Sequence, residues 1–244
     1  MVILYICGCL KQICVMKIFH IFLIVIILTL LFQCKIEKQQ TETKTIVEHK
    51  KAIFKKQKTK KWDSLNKHNT EAFLTEFGKQ NQETLALIKT DFGDIKIRLY
   101  KDVLIHRANF IFLTKIGYFN TTVFYRVAKN FVIQGGNSDE MYTQKERRKY
   151  GNYLLKPEFR KKRKHKYGAL AAAREWENNP NKLSSPFEFY IVQKKSGAHH
   201  LDNEHTVFGE VIAGFDTMEK ISKVKVGVDE WPMDDIKMTI EILD

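Results

Sequence analysis

From residue 85 onward, alternating apolar and polar positions predict a series of short β-strands. Ile95, Ile97 and Leu99 alternate with polar neighbours, which is the period of two that a strand with one buried face produces. The run at 84–90 is joined to this strand by a link that contains glycine, so the two predict a hairpin. Further extended segments are predicted at 121–134, 189–192, 206–208 and 238–243.

Apolar residues at helical spacing predict helices between these strands. The segment 63–80 is predicted to be a short amphipathic helix, and 106–116 and 215–222 are predicted to be helices within the strand-rich region. Gly117 follows the first of these two and Gly214 precedes the second. Many short antiparallel strands with two separate helices favour a β-barrel or a β-sandwich whose open ends the helices cover.

Residues 1–34 are predicted to be a signal peptide or membrane anchor. The segment 18–32 is apolar except for His20 and Thr29, and a lysine lies on each side of it. This run matches the apolar core of a signal peptide better than a full membrane span, which needs about 20 residues. Met16, which precedes the flanking Lys17, is an alternative start to Met1.

Cys34 is the candidate lipid acceptor. The sequence Leu31-Phe32-Gln33-Cys34 resembles a bacterial lipoprotein box, although that box prefers smaller residues just before its cysteine. The alternatives are an uncleaved anchor and a cleaved, soluble form. Each of the three moves the rest of the chain out of the cytoplasm, so we expect a cell-envelope protein whose domain faces the periplasm or the exterior.

Composition and charge refine this organisation into a polar linker at 35–84 and a compact domain at 85–244. The chain of 244 residues is 44% hydrophobic and 28% charged, a balance that excludes a collagen, a fully disordered chain and a multi-span membrane protein. Its formal net charge is +13, which suits acidic partners or an anionic membrane surface. Seven lysines and no acid lie within 50–61, and such runs stay solvated.

All the cysteines precede the predicted domain, at Cys7, Cys9, Cys14 and Cys34. The region after Cys34 therefore has no disulfide of its own, no thiol nucleophile and no zinc site built on cysteine.

One stretch of the domain carries a recognisable motif. Residues 124–136 read Phe-Tyr-Arg-Val-Ala-Lys-Asn-Phe-Val-Ile-Gln-Gly-Gly, and this stretch resembles the signature of cyclophilin-type peptidyl-prolyl isomerases. The segments 168–174, 189–192, 199–202 and 205–209 follow in the order of that family. The resemblance covers about 85–244, and the segment 179–185 looks like the bacterial branch. It implies a closed antiparallel barrel of about eight strands capped by two α-helices.

The resemblance also implies the active site, with Arg126 as the catalytic residue. Rotation about an X–Pro bond is slow because it destroys amide resonance, and it needs neither a nucleophile nor an acid. An arginine held in a dry pocket can stabilise the twisted bond through its nitrogen. The residues that the resemblance implies for substrate binding are Phe131, Gln134, Ala173, Arg174, Glu188, Phe189, Tyr190, His200, Leu201 and His205.

Four positions depart from the family pattern. Tyr125 replaces a histidine that is not the chemical group, and Arg174 replaces an asparagine that contacts peptide through its backbone. His200 stands where some members have tryptophan. Glu188 stands where glutamine is usual, and as a carboxylate it could pair with Arg126 and compete with substrate.

We expect the chain to bind proline-containing polypeptides as a monomer, to contact the membrane through its N-terminal segment, and to need no cofactor or metal.

A metal site is a weaker alternative, based on the His and acidic residues between 199 and 205. Nucleic-acid binding rests on the basic segment 156–166, but we expect that segment to be a solvated loop. Serine hydrolysis lacks a Gly-x-Ser-x-Gly element. The remaining alternative is a module that binds prolyl peptides without turnover.

Overall fold

The computed structural model describes residues 65–243 of the chain. The predicted leader at 1–34, the candidate lipid acceptor Cys34 and the lysine-rich segment 50–61 lie outside the described residues. Within residues 65–243, no helix is both long enough and apolar enough to cross a bilayer.

The described region is mainly β-structure. Its strands are β1 (Leu65–Asn66), β2 (Leu85–Thr90), β3 (Gly93–Leu99), β4 (Val123–Ala128), β5 (Val132–Asn137), β6 (Gly151–Asn152), β7 (Ala169–Ala172), β8 (Phe189–Val192), β9 (Val207–Ala213) and β10 (Thr239–Leu243). Eight of them form one sheet in the order β10-β2-β3-β9-β7-β8-β5-β4, with every neighbouring pair antiparallel. The short strands β1 and β6 form a separate parallel pair.

The sheet is an open half-barrel, so the prediction of a closed barrel was wrong. Its two edges are β4 and β10. The outer edge of β4 meets the chain ahead of β10 at separate points, where Phe124 N–H donates to Ile236 O at 2.9 Å and Val127 N–H donates to Glu230 O at 2.8 Å. The family resemblance implied the closed barrel. Alternation along the chain predicts strands but not which strands pair, so it gave no independent sign that the sheet stays open between β4 and β10.

Four α-helices accompany the sheet in residues 65–243, whereas the predicted barrel had two. They are α1 (Thr70–Gln80), α2 (Leu104–Lys115), α3 (Met141–Lys149) and α4 (Phe215–Ile221). Helices α2 and α4 correspond to the two predicted within the domain, and α1 to the helix predicted in the linker. Helix α3 was not predicted because its sequence is almost entirely polar and its one buried side chain is Thr143, so it has no apolar stripe.

Helix α1 packs against the sheet-bearing part of the chain through Arg107 of α2. This arginine is buried, and its guanidinium donates to Gly78 O at 3.0 Å, to Asn81 O at 2.9 Å and to Glu83 O at 3.1 Å. These carbonyls lie at the C-terminal end of α1 and just beyond it, where backbone oxygens lack helical partners and a cation is favourable. Gly78 allows the close approach, since a Cβ there would lie 2.8 Å from Leu104 Cδ1.

The core beneath the strands β4 and β8 is aromatic. Phe110 and Phe119 contact each other with ring centroids 5.0 Å apart, and Phe189 lies edge-on to both at 5.7 and 5.5 Å. Phe124 of β4 packs edge-on against Phe189 at 6.1 Å. Edge-to-face rings of this kind fix the strands against each other, and these strands carry the candidate site on their opposite face.

Candidate active site

Three neighbouring strands align the polar centre of the site. Arg126 of β4 lies opposite Gln134 of β5, and Gln134 lies opposite Tyr190 of β8. Residues directly opposite each other in an antiparallel sheet project their side chains from the same face. Accordingly, Arg126 Nη1 donates to Gln134 Oε1 at 3.3 Å.

These residues border a cavity of about 380 Å³. It is lined by Arg126, Phe131, Val132, Gln134, Ala173, Arg174, Trp176, Tyr190, His200, Leu201 and His205. The cavity therefore brings together every predicted catalytic or substrate-binding residue except Glu188 and Phe189.

Phe189 lies in the core and not in the cavity. Successive residues of a strand point to opposite faces of the sheet, so Phe189 and its neighbour Tyr190 cannot both face the site. The Phe189 ring is 2% exposed and packs into the aromatic core, where it supports the strand that carries Tyr190.

The hydroxyl of Tyr190 reaches a buried relay behind the cavity. It lies 2.9 Å from His165 Nε2, and His165 Nδ1 lies 2.9 Å from Asp202 Oδ1. Because the carboxylate can only accept, Nδ1 carries the proton and Nε2 accepts from the tyrosine hydroxyl. Burial lowers the pKa of His165. Burial alone would raise the pKa of Asp202, but hydrogen bonds from His165 and His199 lower it to about 2.

His205, Leu201 and Phe131 give the cavity apolar or neutral surfaces. His205 Nδ1 donates to Ala172 O at 3.1 Å, and burial lowers the pKa of His205 to about 4. Leu201 is buried beside it. Phe131 stacks on His200 with ring centroids 5.6 Å apart and an angle of 22° between the planes. An apolar ring such as proline would therefore meet uncharged surfaces at His205, Leu201 and Phe131.

Two acids contact the neighbouring residues Tyr125 and Arg126, and they have different partners. Glu188 Oε1 accepts from Arg147 Nη1 of α3 at 2.7 Å, and Glu188 Oε2 accepts from the Tyr125 hydroxyl at 3.2 Å. Glu230 Oε2 lies 2.7 Å from Arg126 Nη2. The pairing of Glu188 with Arg126 that we considered from the sequence is thus absent from the described contacts, because α3 supplies a second arginine.

Tyr125 links these groups into one network. Its hydroxyl accepts a short hydrogen bond from Gln134 Nε2 while donating to Glu188. Burial, followed by the charge of Glu188, raises the pKa of Tyr125, so the residue stays a neutral donor. Gln134 is consequently held from both ends, by Tyr125 at its amide nitrogen and by Arg126 at its amide oxygen.

Arg174, the second arginine of the cavity, is paired with Glu204. Arg174 donates to Glu204 O and to Glu204 Oε2, both at 2.8 Å, and its side chain is 3% exposed. Its guanidinium lies 4.2 Å from the ring centroid of Trp176. Arg126, at 34% exposed, is therefore the arginine of the cavity that a ligand can reach.

Sequence reasoning missed Trp176 and Glu230. Trp176 is 58% exposed, and its ring lies 5.2 Å from that of His205 in an edge-on arrangement. A signal for it was present, since Trp176 is the one aromatic residue between 174 and 183. Glu230 had no comparable signal, because it is distant from Arg126 in sequence and becomes its neighbour only where the chain ahead of β10 meets the edge of β4.

A larger groove adjoins the cavity. Its volume is about 880 Å³, and Gln134, Ala173 and Arg174 line both the groove and the cavity. Glu188 lines the groove but not the cavity. The two hollows together could hold an extended peptide.

The acidic and histidine residues between 199 and 205 do not converge on one point. Asp202 faces His165, and Glu204 faces Arg174 and Lys182. Within residues 65–243, no group of three or more His, Cys, Asp or Glu side chains is arranged to hold a metal ion.

Comparison with known proteins identifies relatives of this chain. The family described as "Cyclophilin type peptidyl-prolyl cis-trans isomerase/CLD" matches residues 85–241. A Rhizopus delemar protein, "Peptidyl-prolyl cis-trans isomerase-like 2", is 33% identical over 164 residues, which is 66% of this chain but 29% of that protein. A relative from Staphylococcus saprophyticus is 30% identical over 190 residues, which is 66% of this chain and 93% of that protein.

Solved structures show the same fold. A crystal structure of a Cryptosporidium parvum cyclophilin-type peptidyl-prolyl cis-trans isomerase matches with a TM-score of 0.56 and 27% identity, over 66% of this chain and 98% of that one. The Cryptosporidium protein in the presence of the dipeptide Ala-Pro matches with a TM-score of 0.55.

Proposed function

This chain belongs to the cyclophilin-type peptidyl-prolyl cis-trans isomerase family, and from that premise we propose that it isomerises X–Pro bonds with Arg126 as the catalytic residue. The reaction breaks and forms no covalent bond. Its barrier, about 18–20 kcal/mol, comes from the amide resonance that is lost as the bond twists. A catalyst must therefore hold the proline and stabilise the twisted amide.

The observation that carries this proposal is the position of Arg126 and Gln134 on the rim of the cavity. Proline would enter the cavity against Phe131, Leu201 and His205. The Arg126 guanidinium would donate to the prolyl nitrogen, which becomes a better acceptor once its lone pair leaves the amide resonance. A fixed donor in a partly dry site stabilises such a state because it needs no reorganisation when the charge develops.

No other group of the cavity is a better candidate for this role. Burial keeps His205 neutral near neutral pH, with a pKa of about 4, and the pKa of Tyr190 is raised well above its usual value by burial. Arg174 is engaged by Glu204. Arg126 is thus the accessible cation, and the proposed mechanism uses no cofactor, metal or proton transfer.

The proposed substrates are prolyl segments of unfolded or extended polypeptides. The Cryptosporidium structure in the presence of Ala-Pro supports a prolyl peptide as the ligand class. The groove of about 880 Å³ gives room for residues that flank the proline, with Gln134 placed to bond the peptide backbone. We further propose that the protein acts on secreted or envelope proteins, because the apolar segment 18–32 has the features of an export signal or anchor. Its action as a monomer is part of the same proposal.

The test compares the full-length protein with its Arg126→Ala variant, by following cis–trans exchange of a short Ala-Pro peptide by NMR. We expect the variant to lose at least about tenfold in kcat/KM, because a lost transition-state donor usually costs more than this. The control is Arg98→Ala, which removes an exposed arginine that pairs with Glu210 on β9. A rate for Arg126→Ala within about threefold of wild type would contradict the electrostatic role.

The second candidate is a module that binds prolyl peptides without turnover. The ion pair between Arg126 and Glu230 favours it, because it occupies one end of the catalytic guanidinium. Saturable binding of the Ala-Pro peptide without acceleration of its exchange would identify this function in the same experiment.

A further inference from the structure

Arg126 is held at both ends of its guanidinium. Nη2 lies 2.7 Å from Glu230 Oε2, and Nη1 donates to Gln134 Oε1 at 3.3 Å. In residues 65–243, Glu230 is the carboxylate that forms an ion pair with Arg126, since Glu188 is taken by Arg147. The side chains of Arg126 and Glu230 are 34% and 42% exposed, and of the two Arg126 lines the cavity, so Glu230 acts on a ligand there through Arg126.

The backbone fixes Glu230 beside β4. Its carbonyl accepts from Val127 N–H at 2.8 Å, and its own N–H donates to Gly227 O at 3.2 Å. Its φ of 65° lies in the left-handed region, which residues other than glycine adopt infrequently. The carboxylate therefore reaches Arg126 from a defined turn that is bonded to the residue following the arginine.

The neighbouring Trp231 holds the same turn from the other side. Its ring lies 5.5 Å from that of Tyr125, which precedes Arg126 on β4. Gly227 N–H donates to Trp231 O at 2.8 Å and closes the turn. Contacts to Tyr125, Arg126 and Val127 thus place the turn 227–231 along the catalytic part of β4.

We propose that Glu230 is a positioning residue for Arg126, an inference that rests on the proposed isomerase function. An arginine side chain has many rotamers, and only some of them place a donor over the cavity. Glu230 and Gln134 restrict the guanidinium to one orientation and leave its remaining N–H groups for the substrate. Positioning of this kind accelerates a reaction because the donor is in place before the amide twists.

The carboxylate also opposes the positive charge of Arg126. Both side chains are partly exposed, and water and salt screen an exposed ion pair strongly. The direct contact between Nη2 and Oε2 at 2.7 Å is weakened less, because no water fits between the two atoms. We therefore expect the contact made by the acceptor oxygen of Glu230 to matter more for the orientation of Arg126 than the charge of Glu230 does.

Two substitutions of similar size separate these effects. Glu230→Gln keeps an oxygen acceptor and removes the charge, whereas Glu230→Met removes both and keeps the length. Both replacement residues have a Cβ, so both place the same strain on the left-handed backbone at position 230. The control is Asp234→Asn, which makes the same charge change at an exposed position.

The measurements use the full-length protein with an Ala-Pro peptide. We expect Glu230→Met to lower kcat by about three- to tenfold with KM within about twofold, since misplaced catalytic groups cost rate more than binding. Glu230→Gln should stay within about twofold of wild type in kcat, as a conserved acceptor preserves the orientation. Equal losses in both variants, a change in KM alone, or wild-type kcat in Glu230→Met would each overturn the proposal.

A second readout distinguishes this proposal from the proposed function. The side-chain N–H signals of Arg126 in a 15N NMR spectrum report whether the guanidinium is restricted, independently of any activity. They should be resolved in wild type and in Glu230→Gln and averaged in Glu230→Met. Unchanged signals in Glu230→Met would overturn the positioning role even in an active enzyme. A wild-type protein that does not accelerate exchange would contradict the proposed function instead.

Discussion

At the scale of single residues, two buried histidines determine how the wall of the cavity responds to acid. His165 and His205 are 0% and 7% exposed, and burial lowers the pKa of both. Their rings lie 6.4 Å apart, and Arg174 adds a positive charge that disfavours the imidazolium form of His205. The two imidazoles are therefore uncharged near neutral pH, and the surface that His205 gives the cavity suits an apolar proline ring.

The same shift predicts that stability decreases in mild acid. Between pH 6.5 and about 4, His205 binds a proton in the unfolded chain but not in the folded one, so the free energy of unfolding falls as the pH falls. At about 1.4 kcal/mol per pKa unit, the contribution of the shift from 6.5 to about 4 is about 3 kcal/mol. Urea unfolding at a series of pH values measures it.

His205→Asn should reduce that dependence on pH. The amide can still donate to Ala172 O but does not titrate. The slope that remains comes from His165 and from carboxyls whose pKa is lowered in the folded chain, such as Glu210 and Glu219. His68→Asn is the control, since it removes an exposed histidine. Identical slopes for wild type and His205→Asn would show that His205 is protonated in the folded state as readily as in the unfolded one.

At the scale of elements, the loop 174–183 forms a rim of the cavity. Arg174 anchors it to Glu204 and lies against the face of Trp176, whose edge meets His205. An exposed tryptophan held in this way presents a rigid apolar surface at little entropic cost. We infer that it contacts residues of the peptide that flank the proline.

Trp176→Ala should therefore weaken peptide binding. We expect KM to rise by about three- to tenfold with kcat within about twofold, because a contact made equally in the ground and transition states affects binding alone. Trp176→Phe should keep most of the affinity, and Tyr142→Ala, which truncates an exposed aromatic of α3, is the control. An unchanged KM for Trp176→Ala would exclude this contact.

The elements also show what the sequence could and could not predict. The strand predicted at 189–192 has the bounds of β8, and the hairpin β2–β3 and helices α2 and α4 lie where the periodicity indicated. The cyclophilin resemblance predicted nine of the residues that line the cavity. The strand and helix predictions were confirmed because periodicity is a property of residues adjacent in sequence, whereas the roles of the nine cavity residues stay predictions.

The features that the sequence did not predict depend on contacts between distant segments. Helix α3 is almost wholly polar, yet its Arg147 takes Glu188 away from Arg126. Glu230 reaches Arg126 only because the chain ahead of β10 meets the edge of β4. The openness of the sheet has the same origin, since pairing at an edge is not encoded in alternation along one strand.

At the scale of the whole molecule, the basic segment 156–166 is less available than its composition suggests. Arg163 pairs with Asp102 at 2.8 Å, Lys166 with Glu210 at 2.8 Å, and Lys156 with Glu71 at 2.6 Å. Arg163 also lies over the ring of Tyr100 at 3.5 Å. Much of the positive charge in this loop is paired with acidic or aromatic side chains of the described residues. This pairing argues against a phosphate-binding surface.

The location of the whole protein rests on residues 1–34, and Cys34 makes it testable. Cys34 is the only cysteine from residue 15 onward, so it is available for lipidation whether Met1 or Met16 starts the chain. In a bacterial host we expect labelled palmitate to enter the full-length protein and to be lost in Cys34→Ser. Cys14→Ser is the matched control when the chain starts at Met1. The wild-type protein should sediment with membranes, because two or more acyl chains anchor a protein stably where one does not.

Label that persists in Cys34→Ser would exclude this cysteine as the acceptor. Membrane association without any label would identify the uncleaved anchor, since the apolar segment 18–32 would then hold the protein by itself.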